Sequence, residues 1–480
     1  MARRLNRKDF LRLSGGTLAG GALASALAGT GTAHAATTTG SSGPGAGAGA
    51  DAWRYAEQIA RRVEAPRFAP RDFDITEFGA TPDGTSPATE AIRAAISACH
   101  RSGGGRVVVP AGSFLTGAIH LRDNVNLHVS EGATLLFSTD PADYLPVVLT
   151  RFEGIEFMNY SPLIYANGCT NIAVTGTGTL DGQASTENWW AWGSRSSEGW
   201  TRLQQMARDG VPVEERVFGR GYYLRSSFIQ TYRCTNVLIE GVTIHRSPMW
   251  EVHPVLSRNI TIRDLHIDTH GPNNDGVDIE CSRDVVVRGC VFDVGDDCVA
   301  IKSGREADGL RVNVPSEDIL IEQCLMRLRY GAITIGSEMT GGARNIFVRD
   351  CRLDGPNLYF GLYIKTNSHR GGVAENVYLK NLEISNLTKE VISCNFYRGK
   401  GDTGPLTPRV RNVELRNVHV GQARNAFSMS GYPRSPIEDV RIVNCSFDDI
   451  RQPSTITDVD MTFHNFRVNG VRCSDPAQLL

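Results

Sequence analysis

The chain has 480 residues, with 50 Lys and Arg against 52 Asp and Glu and a formal net charge of −2. That near balance argues against a nucleic-acid partner or a charged membrane surface, and 50 glycines with only 8% aromatic residues suit a chain of many short turns. Length alone suggests two or three domains, whereas a repeat architecture makes one long domain.

Residues 1–35 read as an export signal. Arg3, Arg4, Arg7, Lys8 and Arg12 form a basic start, Leu11 to Ala28 a weakly apolar core, and Ala33-His34-Ala35 an A-x-A cleavage site. Arg7-Lys8-Asp9-Phe10-Leu11-Arg12 is similar to a twin-arginine signal with Lys8 at the second basic position. The core is too polar and glycine-rich for a transmembrane anchor. Removing five positive charges and one negative takes the net charge from −2 to near −6. Residues 36–52, rich in Gly, Ala, Ser and Thr, read as a disordered linker, and residues 53–475 as one domain. The expected location is secreted or periplasmic.

Trp53 to Glu64 reads as a short helix. A second helix starts with Ser86 as cap and Pro87 as first residue; Ile92, Ala95, Ile96 and Cys99 give it one apolar stripe, and Gly103 to Gly105 end it. Strands Arg106–Val109 and Gly117–Leu121 follow. A repeat protein must cover the open end of its core, and this amphipathic helix is placed to do so.

A repeat then sets in. Asn171, Asn236, Asn259, Asp284, Asp318, Asn345, Asn376, Asn412 and Asp439 each open an apolar-alternating run, and from Asn236 onward they lie 23, 25, 34, 27, 31, 36 and 27 residues apart. Six residues after each of the last eight starts comes Val242, Leu265, Cys290, Cys324, Cys351, Leu382, Val418 or Cys445, an apolar column that points inward. Each unit carries a second strand: Val252–Pro254, Gly276–Glu280, Cys298–Lys302, Ala332–Gly336, Leu362–Lys365, Ile392–Phe396 and Phe427–Ser430. Short coils with several strands and no intervening helices imply an all-β parallel β-helix. The 11 cysteines are odd in number and form no C-x-x-C pair, so they read as packing. Gly182 to Tyr223 breaks the period and carries Trp189, Trp190, Trp192 and Trp200; it either packs over the sheet or walls one end of a sugar groove.

The chemistry concentrates between Asn273 and Lys302. Pairing Val277 with Val299 and Ile279 with Ile301 as successive rungs stacks Asp275 on Asp297, roughly 5 Å apart at the backbone. Asp296 shares the parity of Ala300 and Lys302, on the face opposite the isoleucines. Three acids on one rim are costly for stability alone, but carboxyl groups in differing environments can divide acid and base work, as glycosidic hydrolysis requires. The same alignment puts Glu280, Lys302, Gly336 and Lys365 in one outward column and Asp278, Ala300, Thr334 and Tyr363 in another. Lys302 and Lys365 would offer charge to an acidic sugar; alternatively Lys302 pairs with Glu280 and Lys365 is solvated. His253, beside Trp250, reads as groove lining, and no histidine has metal-ligand spacing.

Phe78-Gly79-Ala80, Asn273-Asn274-Asp275, Gly295-Asp296-Asp297 and Ile335-Gly336-Ser337 make the chain resemble glycoside hydrolase family 28, the polygalacturonase group of pectin-degrading enzymes. The resemblance implies a single-stranded right-handed parallel β-helix of the pectin-lyase-like type. It also implies a secreted, inverting hydrolase of pectic polysaccharide or oligosaccharide, galacturonan-type, with a lean toward exo action. Asp296 falls on the general acid, and Asp275 and Asp297 on the residues that activate water. Lys365, Tyr363, Tyr330, Lys302, Asn273 and His253 are the expected substrate contacts. Two motifs depart: Arg329-Tyr330-Gly331 lacks the family's histidine, and Tyr363-Ile364-Lys365 keeps its lysine but not its arginine. A tyrosine cannot grip a carboxylate bidentately, so rhamnogalacturonan stays open as substrate. A β-helix polysaccharide lyase, which would need calcium, and a non-catalytic glycan-binding protein are the alternatives from other classes. No cofactor, metal, nucleic acid or membrane partner is expected, and the chain is expected to be a monomer.

Overall fold

The computed structural model describes residues 49–480, apart from Leu328 and Lys400. The signal reading and most of the linker reading lie outside the described residues. The rest winds into a right-handed parallel β-helix. One sheet holds 11 parallel strands, from Ile119–His120 to Thr455–Thr457, each hydrogen-bonded to the strand one coil away. It contains Val252–Val255, Val277–Glu280, Val299–Lys302, Arg329–Gly336, Leu358–Lys365, Glu390–Asn395 and Asn425–Ser430.

The register follows the branched residues. Val277 lies beside Val299, Ile279 beside Ile301, and Glu280 beside Lys302. The rungs continue as Ala300, Thr334 and Tyr363 in one column, and Gly336 and Lys365 in another. A slip of one residue would turn every isoleucine out of the core, so this register is strongly specified. Val277, Ile279, Val299 and Ile301 are all fully buried.

The Asn or Asp that opens each repeat has a backbone reason. All nine of these residues have φ between 54° and 58°, the left-handed region that Asn and Asp tolerate best among side-chain-bearing residues. Their side chains also stack: Asn236 Nδ2 donates to Asn171 Oδ1 (2.8 Å), Asn345 to Asp318 (2.9 Å), Asn376 to Asn345 (2.9 Å), and Asn412 to Asn376 (2.6 Å). Asn376→Ala is therefore expected to cost about 2–4 kcal/mol, from left-handed strain plus two lost hydrogen bonds. Asn376→Gly, which removes only the second component, should cost about 1 kcal/mol less. Urea unfolding of the two variants checks this, and equal losses would show that the backbone angle is not the determinant.

The apolar column is buried as expected, including Cys290, Cys324, Cys351 and Cys445, and the 11 cysteines are free. Two helices precede the solenoid. The first, α1, spans Gly49–Arg62, so it begins inside the expected linker. It lies on the outside of the coils, with Trp53 against Phe347, and does not cover an end. Arg62 bridges Asp284 and Asp318, Tyr55 donates to Asp318, and Glu57 pairs with Arg349. The second, α2 (Thr89–Arg101), buries Ile92, Ala95, Ile96 and Cys99 against the first strands and is the end cover. Its cap differs from expectation: Ser86 Oγ bonds Asp83 (2.6 Å), Pro87 ends the short strand Asp83–Pro87, and Ala88 precedes the helix without a side-chain cap.

Candidate active site

The turn before Asp275 is built by Asn274. Its Oδ1 accepts from the Gly271 N–H (2.6 Å), and its Nδ2 donates to the carbonyls of Ser247 (3.0 Å) and Met249 (2.8 Å). That cradle presents Asp275 at the start of its strand. One coil on, the Asp297 N–H donates to Asp296 Oδ1 (3.0 Å), fixing the two adjacent acids. One oxygen from each of Asp275, Asp296 and Asp297 lies within 4.8 Å of the others. Asp275 and Asp297 are buried and Asp296 is partly open.

Their environments separate them. Asp297 receives the Gly331 N–H (2.8 Å) and Lys365 Nζ (2.7 Å). Burial opposes its charge, but Lys365 and Lys302 outweigh that, and its carboxyl stays below the usual range. A Cβ on Gly331 would stand 2.1 Å from Thr334 Oγ1 and 3.0 Å from Asp297 Oδ1, so only glycine lets this N–H reach the acid. Asp296 is pushed up to about 6, by burial first and then by the Asp297 charge. Asp275 rises well above the ordinary value through burial and the neighbouring Asp278 and Asp296. The arrangement thus holds one ionised and one protonatable carboxyl side by side.

Beneath them lies a buried ionic group that single residues do not reveal. Lys302 Nζ is 3.2 Å from Glu338, 3.4 Å from Asp278 and 4.0 Å from Asp275, and it stands over the Trp250 ring. Lys302 is only 4% exposed. It is not paired with Glu280, and its charge serves these carboxylates rather than a sugar, which corrects both sequence readings of it. Glu280 is instead held by Arg151 (2.9 Å) and His253 (2.9 Å). His253 is fully buried, with Nδ1 facing Ser227 and Gln230, so it supports the floor and does not line a groove. Lys365 is not solvated either, being bound to Asp297. Glu338 and Asp278 are not recognisable as site residues from sequence, because their role depends on Lys302, which lies 36 residues before Glu338.

On the N-terminal side the acids are walled in. Arg225, just past the irregular insertion, donates to the carbonyls of Pro248 (2.9 Å) and Pro272 (2.6 Å) and to Asn273 Oδ1 (2.7 Å). Asn273, expected as a substrate contact, is thereby tied to protein. Within the insertion, Trp189 and Trp192 are buried packing. Trp190 donates to the Ser247 carbonyl (2.9 Å) and lies against Gly271, and Trp200 stacks under Arg305. The hairpin formed by Val148–Phe152 and Ile155–Asn159 adds Glu153, which pairs with Arg305 (2.6 Å). The packing reading of the insertion is borne out: Trp190 packs on the main core and Trp200 on a second apolar cluster.

On the C-terminal side the rim is open. Tyr330 is 40% exposed and meets Tyr359 edge-on at 5.3 Å. Tyr363 lies in the column after Thr334, with Lys365 Nζ 4.8 Å from its ring. Of the expected substrate contacts, Tyr330, Tyr363 and Lys365 border the acids on this accessible side.

A sequence profile of Glycosyl hydrolases family 28 matches residues 223–465. The chain also aligns with a solved exopolygalacturonase from Thermotoga maritima at 42% identity, covering 88% of this chain and 97% of that one with a TM-score of 0.85. The chain is a family 28 glycosyl hydrolase. Curated relatives include a probable polygalacturonase of Vitis vinifera, 27% identical over 80% of this chain and 77% of its own length. An exo-poly-alpha-D-galacturonosidase of Dickeya chrysanthemi is 26% identical over 84% of this chain and 72% of its own. Family 28 enzymes are typically extracellular. Among the described residues, no helix is long and apolar enough to cross a membrane.

Proposed function

We propose that this family 28 enzyme hydrolyses galacturonan-type pectic chains from one end, using Asp296 as acid and Asp297 as base. The observation that carries the reading is the division of protonation between adjacent aspartates, with Asp296 near 6 and Asp297 held ionised by Lys365. The likeness to exopolygalacturonases supports the substrate class. The wall of Arg225, Trp190 and the Glu153 hairpin supports action at a chain end, because an internal segment needs passage on both sides.

In this scheme a water lies between Asp275 and Asp297. Its oxygen attacks the anomeric carbon, its proton passes to Asp297, and protonated Asp275 orients it. Asp296 gives its proton to the glycosidic oxygen as the carbon–oxygen bond breaks, so the sugar departs as hemiacetal and the remaining chain as alcohol. Attack on the face opposite the leaving oxygen inverts the anomeric configuration. The separation within 4.8 Å favours a second reading, because inverting enzymes usually hold their two carboxyl groups further apart to admit a water. Direct attack by Asp297, with retention, is that reading. We also infer that the chain is exported by a twin-arginine-type signal in residues 1–35 and acts as a monomer.

Digestion of α-linked polygalacturonate, with products followed by size and by NMR of the first anomer, tests these points together. Expected are small saturated products from the earliest times and an inverted anomer. Unsaturated ends would mean a lyase, early mid-length fragments an internal cutter, and a retained anomer the Asp297 nucleophile. The pH profile is expected to be bell-shaped. As pH rises past about 6 the Asp296 proton is lost and kcat/KM falls. On the acid side the rate is retained to below the ordinary aspartate value, because Asp297 stays ionised there. Both limbs belong to the coupled cluster, and a rate still climbing through neutral pH would exclude Asp296 as the donor.

A further inference from the structure

We propose that Arg398 determines specificity for acidic sugars by holding the carboxylate of the residue bound beside Tyr363. The proposal rests on the pectic reading above and adds to it the side chain that recognises the charge.

A carboxylate-bearing sugar needs a cation that is not already committed. Around the acids most cations are taken: Lys302 by Glu338 and Asp278, Lys365 by Asp297, Arg305 by Glu153, and Arg370 by Glu306. Arg225 is turned into the wall, bonding two carbonyls and Asn273. Lys365 in particular cannot be drawn toward substrate without loosening the charge that keeps Asp297 ionised.

Arg398 is differently placed. It follows the strand Glu390–Asn395, one coil beyond the strand that carries Lys365. Its side chain is exposed, makes no ion pair among the described residues, and stands with its guanidinium 5.4 Å from the Tyr363 ring centre. The turn beneath it is ordered: the Arg398 N–H donates to the Asn395 carbonyl (3.3 Å), its own carbonyl accepts from Asn367 Nδ2 (3.2 Å), and the Tyr397 N–H donates to Asn395 Oδ1 (2.8 Å). The Tyr363 ring, packed against Phe360 at 4.1 Å between centres, thus has Lys365 Nζ 4.8 Å and the Arg398 guanidinium 5.4 Å from its own centre. A sugar bound beside that ring would bring its carboxylate within reach of a donor fork that matches it bidentately.

The test is steady-state kinetics of Arg398→Gln and Arg398→Lys on oligogalacturonides, each as free acid and as methyl ester. For the free acid, Arg398→Gln is expected to raise KM about tenfold or more, the loss of one charge-assisted contact, with a smaller change in kcat. Arg398→Lys should recover part of that loss. On the ester the difference between wild type and Arg398→Gln should vanish. An unchanged KM on the free acid, or equal losses on acid and ester, would overturn the proposal while leaving the hydrolase reading intact. A wild-type enzyme that cleaves no galacturonide would overturn both. Thermal melting of each variant, expected to match wild type because the side chain is exposed, shows whether a loss comes from folding instead.

Discussion

Asp296→Asn is expected to lower kcat on polygalacturonate by about 10² to 10⁴-fold, the range associated with loss of a positioned proton donor. KM and melting temperature should change little. An amide oxygen can still accept the 3.0 Å hydrogen bond from the Asp297 N–H, so the turn keeps its shape. What disappears is the proton for the leaving oxygen. The variant should also lose the falling limb near pH 6, since the group that titrates there is gone. A variant that turns over at the wild-type rate would remove Asp296 from the mechanism, and the division of labour between the two adjacent acids with it.

Lys302→Met is expected to be the most damaging change to stability at the site. It leaves Asp278, Asp275 and Glu338 buried around an apolar side chain, and removing one partner of a buried ionic group typically costs about 3–5 kcal/mol. Burial alone already raises the Asp278 and Asp275 carboxyls, and Lys302 is the nearest cation opposing that rise. Without it, their folded-state values move further above the unfolded ones. The folded state then binds more protons than the unfolded state, so the stability deficit should shrink as pH falls and grow as it rises. Chemical denaturation at acidic and neutral pH checks the sign. A deficit independent of pH would mean that the methionine merely packs badly.

Much of this was legible in the sequence because the solenoid repeats one register. Once Val277 is set beside Val299, the positions of Asp275, Asp297, Thr334, Tyr363 and Lys365 follow coil by coil. The opening Asn or Asp of each repeat was visible as a pattern, although its cause, a left-handed backbone combined with a side-chain ladder, needed coordinates. Parity says which face a side chain takes and not what covers that face. Lys302 and His253 do point away from the core, yet the hairpin and the loops around Arg225 and Glu338 bury them. Arg225, Glu338 and Arg398 were illegible for the related reason that they come from irregular segments outside the column pattern.

The seat of α1 has a consequence for the order of assembly. Neighbouring coils touch across roughly 23 to 36 residues, as in the ladder contacts of Asn259 and Asn412. The contacts of α1 instead span 222 residues to Asp284, 256 to Asp318 and 292 to Arg349. Loops that long are slow to close, and the seat does not exist until the coils around Phe347 and Tyr378 are stacked. The earliest-synthesised helix of the described chain thus settles only after coils made two to three hundred residues later, and its docking marks a solenoid whose central turns are already complete.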